Sequence, residues 1–125
     1  MARRDRASTA LELFRVIIVL PAVESTRRSI GFAPAVSAMR ARGAYCLQRG
    51  SRQRIFLQRA IAWVDSRIPG GTNCYRRVLL ELSLDAGAAS EPVLIGLDPR
   101  GGPGSGHVWL ASSTQQEHYE VKLAL

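Results

Sequence analysis

The chain has 125 residues, 46% of them hydrophobic and 22% charged, which suits one packed domain and excludes a disordered chain. Its formal charge of +7 is uneven. Residues 1–60 hold twelve arginines against Asp5, Glu12 and Glu24, a net +9, whereas residues 61–125 hold five basic and seven acidic residues, a net −2.

A basic half can meet nucleic acid, anionic lipid or an acidic partner. No RNP-like aromatic pattern, zinc-finger spacing or helix-turn-helix pattern accompanies the charge, so nucleic acid is not the expected partner. A solvated basic face, or a docking face for another protein, is the reading preferred. Two cysteines, Cys46 and Cys74, are too few for a disulfide scaffold and fit free thiols in a reducing, cytoplasmic setting.

The opening segment, MARRDRASTALELFRVIIVLPAVES, has a basic start and an apolar run from Val16 to Leu20. Glu12 and Arg15 interrupt it, and it is too short and too charged to span a bilayer. It reads as an amphipathic helix of the domain over residues 9–20, with membrane contact at most peripheral. Pro21 separates it from a second short helix over 22–30. A third helix is expected over 33–43, stopped by Gly43. The clearest is SRQRIFLQRAIAWVDSRI, 51–68, with Ile55, Leu57, Ile61, Ala62 and Val64 turned inward and Arg52, Arg54, Gln58 and Arg59 facing water. Pro69-Gly70-Gly71 ends it. A helix over 74–85 follows Thr72 and Asn73, both good N-cap types. Residues 92–97 have strand composition, and 98–106 form a Gly/Pro loop. HVWLAS, 107–112, and HYEVKLAL, 118–125, alternate like strands and are expected to pair as a hairpin through STQQ. Helices followed by strands predict an α+β fold, with an antiparallel sheet against helices. One domain over 1–125 is expected, with a basic helical segment over 1–50 ahead of a core over 51–125.

Chemistry centres on Cys74. At a helix N-terminus the free amides and the macrodipole favour the thiolate, the nucleophilic form. The alternative is a small buried apolar residue. Cys46, in GAYCLQRG, has no such setting. A cysteine nucleophile needs a base, and His107 opens a strand after a flexible loop; His118 is the competing candidate. In the expected hairpin, His107, Trp109, His118 and Glu120 share one face of the sheet, and Val108, Leu110, Tyr119, Val121 and Leu123 share the apolar one. A carboxylate beside imidazole fixes its tautomer, so Cys74, His107 and Glu120 make a candidate Cys-His-acid triad. The other reading of Glu120 is a solvated carboxylate paired with Lys122.

The segments CYRRVLLELSLDAGAASEPVLIGL and GHVWL, 33 positions from Cys74 to His107 and 13 from His107 to Glu120, resemble the lasso-peptide maturation B proteins. RVIIVLPAVESTRRSIGFAPAVSAMRA and RAIAWVDSRIPGGTNC extend the resemblance over most of the chain. Val108 and Glu120 stand where that family usually has Ala and Asp. The resemblance implies a transglutaminase-like (papain-like) cysteine protease core. It also implies an activity, removal of the leader peptide from a ribosomally made lasso precursor, with no cofactor and no metal. It implies Cys74 as nucleophile, His107 as base, Glu120 as orienting acid, Trp109 as a wall of the cleft, and Asn73 or Trp63 beside the Cys74 N–H as an oxyanion donor. The partners implied are the precursor peptide, a small leader-binding recognition protein and an ATP-dependent cyclase. Rival readings are a non-catalytic basic helical binding module and a transglutaminase-like acyltransferase.

Overall fold

In a computed structural model of the chain, residues 3–98, 106–113 and 120–125 are described. The order is α1 (Arg3–Ser29), α2 (Phe32–Gly43), α3 (Ser51–Asp65), α4 (Cys74–Leu84), α5 (Ala86–Ala89), β1 (Val93–Leu97), β2 (Gly106–Leu110) and β3 (Glu120–Ala124).

α1 is one continuous helix, not the two that Pro21 predicts. Proline inside a helix removes one backbone hydrogen bond and crowds the preceding turn, at a cost of about 3 kcal/mol. Here its ring lies on the exposed side, and the buried stripe of Val16, Val19 and Val23 runs past it on the other. That stripe packs on α3 and α4, and its burial holds the helix together across the proline. On α3 the buried positions are Phe56, Leu57, Ala60, Ile61, Val64 and Asp65, while Ile55 is exposed. The inward stripe is therefore rotated from the expected one.

α4 supplies the centre. Leu79, Leu80 and Leu82 are fully buried, and Val78 and Leu84 lie beside them. Around them one hydrophobic core takes residues from α1 to α5, β1 and β2. Its charged groups are bonded in place. Arg49 spans from Glu12 of α1 (3.0 Å) to the Leu84 carbonyl at the end of α4, and Arg76 of α4 spans Glu24 (2.6 Å) and Asp65 (2.7 Å).

The sheet differs from the expected hairpin. Its order is β2-β1-β3, and both outer strands run antiparallel to β1. β2 and β3 do not pair with each other. β1, VLIGL, carries no charged side chain and has Val93 and Gly96 buried, so it tolerates the centre; β3 is exposed at every position. Val121 and Leu123, expected on the face against the helices, are about half exposed. Gly96 is needed where it stands. A Cβ there would lie 2.5 Å from the Trp109 ring and 2.7 Å from the Glu120 carbonyl oxygen.

The transglutaminase-like (papain-like) protease core is not found. The chain is mostly helical with a three-stranded antiparallel sheet, and it is far too small to hold such a core. No helix among the described residues is long and apolar enough to cross a membrane.

Candidate functional site

The loop before α4 is fixed by a buried carboxylate. Gly70 and Gly71 turn the chain with φ of +100° and +90°, a backbone region open to glycine and strained for other residues. Asp65, fully buried at the end of α3, accepts the Asn73 N–H (3.1 Å), Arg76 Nη1 (2.7 Å) and Arg77 Nε (2.8 Å). Asn73 then caps α4, its Oδ1 accepting the Arg76 N–H at 2.9 Å. Cys74 is the first residue of the helix, half-buried and free of any disulfide. Its own N–H and that of Tyr75 belong to the first turn, where no carbonyl of the helix lies four residues back. Tyr75 packs on Phe32 with ring centres 4.9 Å apart, and burial pushes its hydroxyl pKa up.

A cleft of about 650 Å³ opens beside Cys74, between α3, α4 and β2. Cys74, Arg77, Val78 and Glu81 line it from α4 at spacings of three, four and seven residues, which is one helical face. Arg54, Gln58 and Ile61 line it from α3, and His107, Val108, Trp109 and Leu110 from β2. Cys74, His107 and Trp109 thus line one cleft. The His107 and Trp109 rings stack 5.7 Å apart at 18°, and the indole lies over Gly96, where the missing side chain makes room.

Arg54, expected in solvent, is largely covered and lines this cleft, while Gln58 lines its mouth and stays exposed as expected. Arg54 binds Glu81 (2.8 Å) and Glu91 (2.5 Å), and Gln58 donates to Glu81 (3.2 Å). Burial raises the Glu81 pKa, opposed by its bond to Arg54. Burial also pushes Glu91 upward, but the Ser112 hydrogen bond and Arg54 outweigh it, so its pKa is lowered. The signal for these residues was available as spacing: Arg54-x3-Gln58-x2-Ile61 and Cys74-x2-Arg77-x3-Glu81 each mark one helical face. Nothing in the sequence said that the two faces meet.

The remaining candidates lie elsewhere. Glu120 is aligned with Leu97, and its carboxylate meets Lys122 Nζ at 3.0 Å. β1 separates its strand from that of His107, two strand spacings or about 10 Å. The face carrying His107 and Gly96 continues on β3 at Val121. The shared face that placed Glu120 with His107 depended on β2 pairing with β3, and that pairing does not occur. Asn73 spends its backbone N–H on Asp65 and its side-chain oxygen on the cap. Trp63 is exposed outside the cleft, with the Arg67 guanidinium 3.6 Å over its ring. His118 lies outside the described residues. Cys46 sits at the other end of α4, its thiol 3.4 Å from the Ser83 carbonyl oxygen. Among the described residues, no group of three His, Cys, Asp or Glu could hold a metal ion. Compared with known protein families, characterised proteins and solved structures, the chain matches none.

Proposed function

We propose that the chain is a cytoplasmic cysteine peptidase that removes the leader segment from a ribosomally made precursor peptide of the lasso type. One observation carries this: Cys74, on the first turn of α4, and His107, on β2, line the same cleft. The first-turn amides and the helix dipole favour the Cys74 thiolate. The thiolate attacks the scissile carbonyl, and the Cys74 N–H stabilises the oxyanion. His107, carrying the thiol proton, delivers it to the departing amine as the C–N bond breaks. Water then attacks the thioester, His107 takes its proton, and the thiolate is released with the carboxylate product. No role is assigned to Glu120. The resemblance supplies the substrate class and the partners, a leader-binding protein that delivers the precursor and an ATP-dependent cyclase that uses the product.

The test is incubation with a precursor peptide and its leader-binding protein, followed by mass spectrometry. Cys74→Ala and His107→Ala abolish cleavage, and Cys46→Ala retains it. Equal activity in Cys74→Ala and Cys46→Ala would sink the reading. Transfer to an added amine in place of water would make the chain an acyltransferase.

A second reading, a binding module, is favoured by α1. Leu11, Phe14, Ile17 and Ile18 are exposed on the side opposite its buried stripe, near the exposed Arg3, Arg4 and Arg6. A chain that binds its partner through this face and cleaves nothing would support it.

A further inference from the structure

β2 is an edge strand, and its hydrogen bonds show which of its backbone groups face outward. Val93 and Leu125 exchange both backbone bonds, at 2.6 and 2.8 Å, so the N–H and C=O of Val93 point away from β2. Its register partner Leu110 therefore receives no bond from it. One rung on, the Ala111 N–H donates to the Pro92 carbonyl at 3.1 Å. Antiparallel rungs alternate between bonded and unbonded pairs. Trp109 and His107 thus bond to Leu94 and Gly96, while Val108 and Leu110 turn their backbone groups out of the sheet. The Leu110 carbonyl is taken by the Ser113 N–H at 2.9 Å. The N–H and C=O of Val108 and the N–H of Leu110 have no strand to pair with among the described residues.

The cleft follows this edge. Consecutive strand residues point to opposite faces, so a cleft over one face would touch alternate residues. This one touches His107, Val108, Trp109 and Leu110 in a row, the pattern of a cleft that runs along the edge. Its facing wall is α4 with Cys74 and Val78, and α3 with Ile61. An unpaired edge is ordinarily a template for uncontrolled pairing.

We infer that the cleft takes its substrate as an extended peptide, added as a further strand to the edge of β2 that no described strand covers. The peptide's main chain bonds to Val108 and Leu110 and carries the scissile carbonyl past Cys74. The inference rests on Cys74 being the nucleophile and adds the form of the substrate. The bound segment is extended, about three to four residues long, apolar where it faces Ile61 and Val78, and bears an N–H where it meets the Val108 carbonyl. Proline at that position is excluded.

A tethered peptide tests the binding mode apart from catalysis. In Cys46→Ser protein, a synthetic heptapeptide of alternating valine and threonine, ending in an activated cysteine disulfide, is joined to Cys74. Amide exchange is followed by NMR. The expected result is slowing at Val108 and Leu110 by about tenfold or more, and none with the same peptide N-methylated at alternate residues. Unchanged exchange with the parent peptide overturns the inference, even where the chain cleaves precursor. Slowed exchange in a chain that cleaves nothing keeps the strand site and removes the peptidase reading. As a second measure, Val108→Pro deletes an outward N–H, a loss that an edge strand tolerates, and replaces a side chain that packs against the core. Relative to Val108→Ala, which loses the side chain and keeps the N–H, it raises KM about tenfold with kcat nearly unchanged, as expected for loss of uniform binding. A Val108→Pro protein with the KM of Val108→Ala would likewise overturn the inference.

Discussion

The loop that presents Cys74 and the strand that carries Glu120 both contain charged residues, and the charges act differently in each. Around Cys74, Asp65 and Arg76 are buried and shared between elements. Asp65 ties α3 to the loop and to α4, and Arg76 ties α4 to α1 through Glu24. At Glu120 the partner among the described residues is Lys122, two residues away on the same strand, and both side chains are at least half exposed. A buried network fixes where its members sit because leaving any one unpaired is expensive. An exposed pair on an edge strand positions nothing beyond itself. The position of the cysteine is thus determined by the fold, whereas that of the carboxylate is not.

The largest effect that would break this contrast is at Asp65. Asp65→Ala takes one partner from buried Arg76 and from the Asn73 amide and leaves Arg77 to solvent, and the expected loss in chemical denaturation is about 3 kcal/mol. A loss under about 1 kcal/mol would show that the network does not hold the loop. Acid reaches the same network without mutation. Arg27, with help from Arg76, holds Glu24 down to about 2 from its usual 4.5. Folding thus favours its ionised form, so its contribution is complete above pH 4.5 and is lost as pH falls from 4.5 towards 2. A stability profile flat across that window in the parent, or unchanged by Glu24→Gln, would contradict this. Gly96→Ala comes next. Its new Cβ meets the Trp109 ring and the Glu120 backbone, and the expected cost is about 1–3 kcal/mol with altered Trp109 emission. Asn73→Ala removes the cap of α4 and costs about 1 kcal/mol in the same measurement. The smallest effect sharpens the comparison most. Glu120→Gln shifts stability by no more than about 0.5 kcal/mol and leaves precursor cleavage at the parental rate. A large loss of cleavage would return Glu120 to the site.

The sequence made α2, α3 and α4 legible because their apolar residues recur at helical spacing and because Gly43, Pro69 and Asn73 mark their ends. The presence of three strands was legible for the same kind of reason. Pro21 misled because its local cost is visible in sequence, whereas the burial of Val16, Val19 and Val23 that offsets it is a tertiary fact. Strand order misled in the same way. Neighbours in sequence usually pair, and nothing in HVWLAS or HYEVKLAL states that VLIGL lies between them. Within the site, Cys74 and His107 were legible from residue type and local setting. Arg54 and Asp65 were not, since a charged residue on a helix ordinarily faces solvent, and only the assembled structure gives each of them its partners.

The two tryptophans have a consequence for observing the molecule. Trp109 is buried over Gly96 and lines the cleft, while Trp63 is exposed under the Arg67 guanidinium. Removing Trp63 as Trp63→Phe leaves one indole in the described site and none on the surface of α3. The intrinsic emission of such a chain becomes an optical readout of cleft occupancy, responding to whatever enters beside β2 with no dye or label attached.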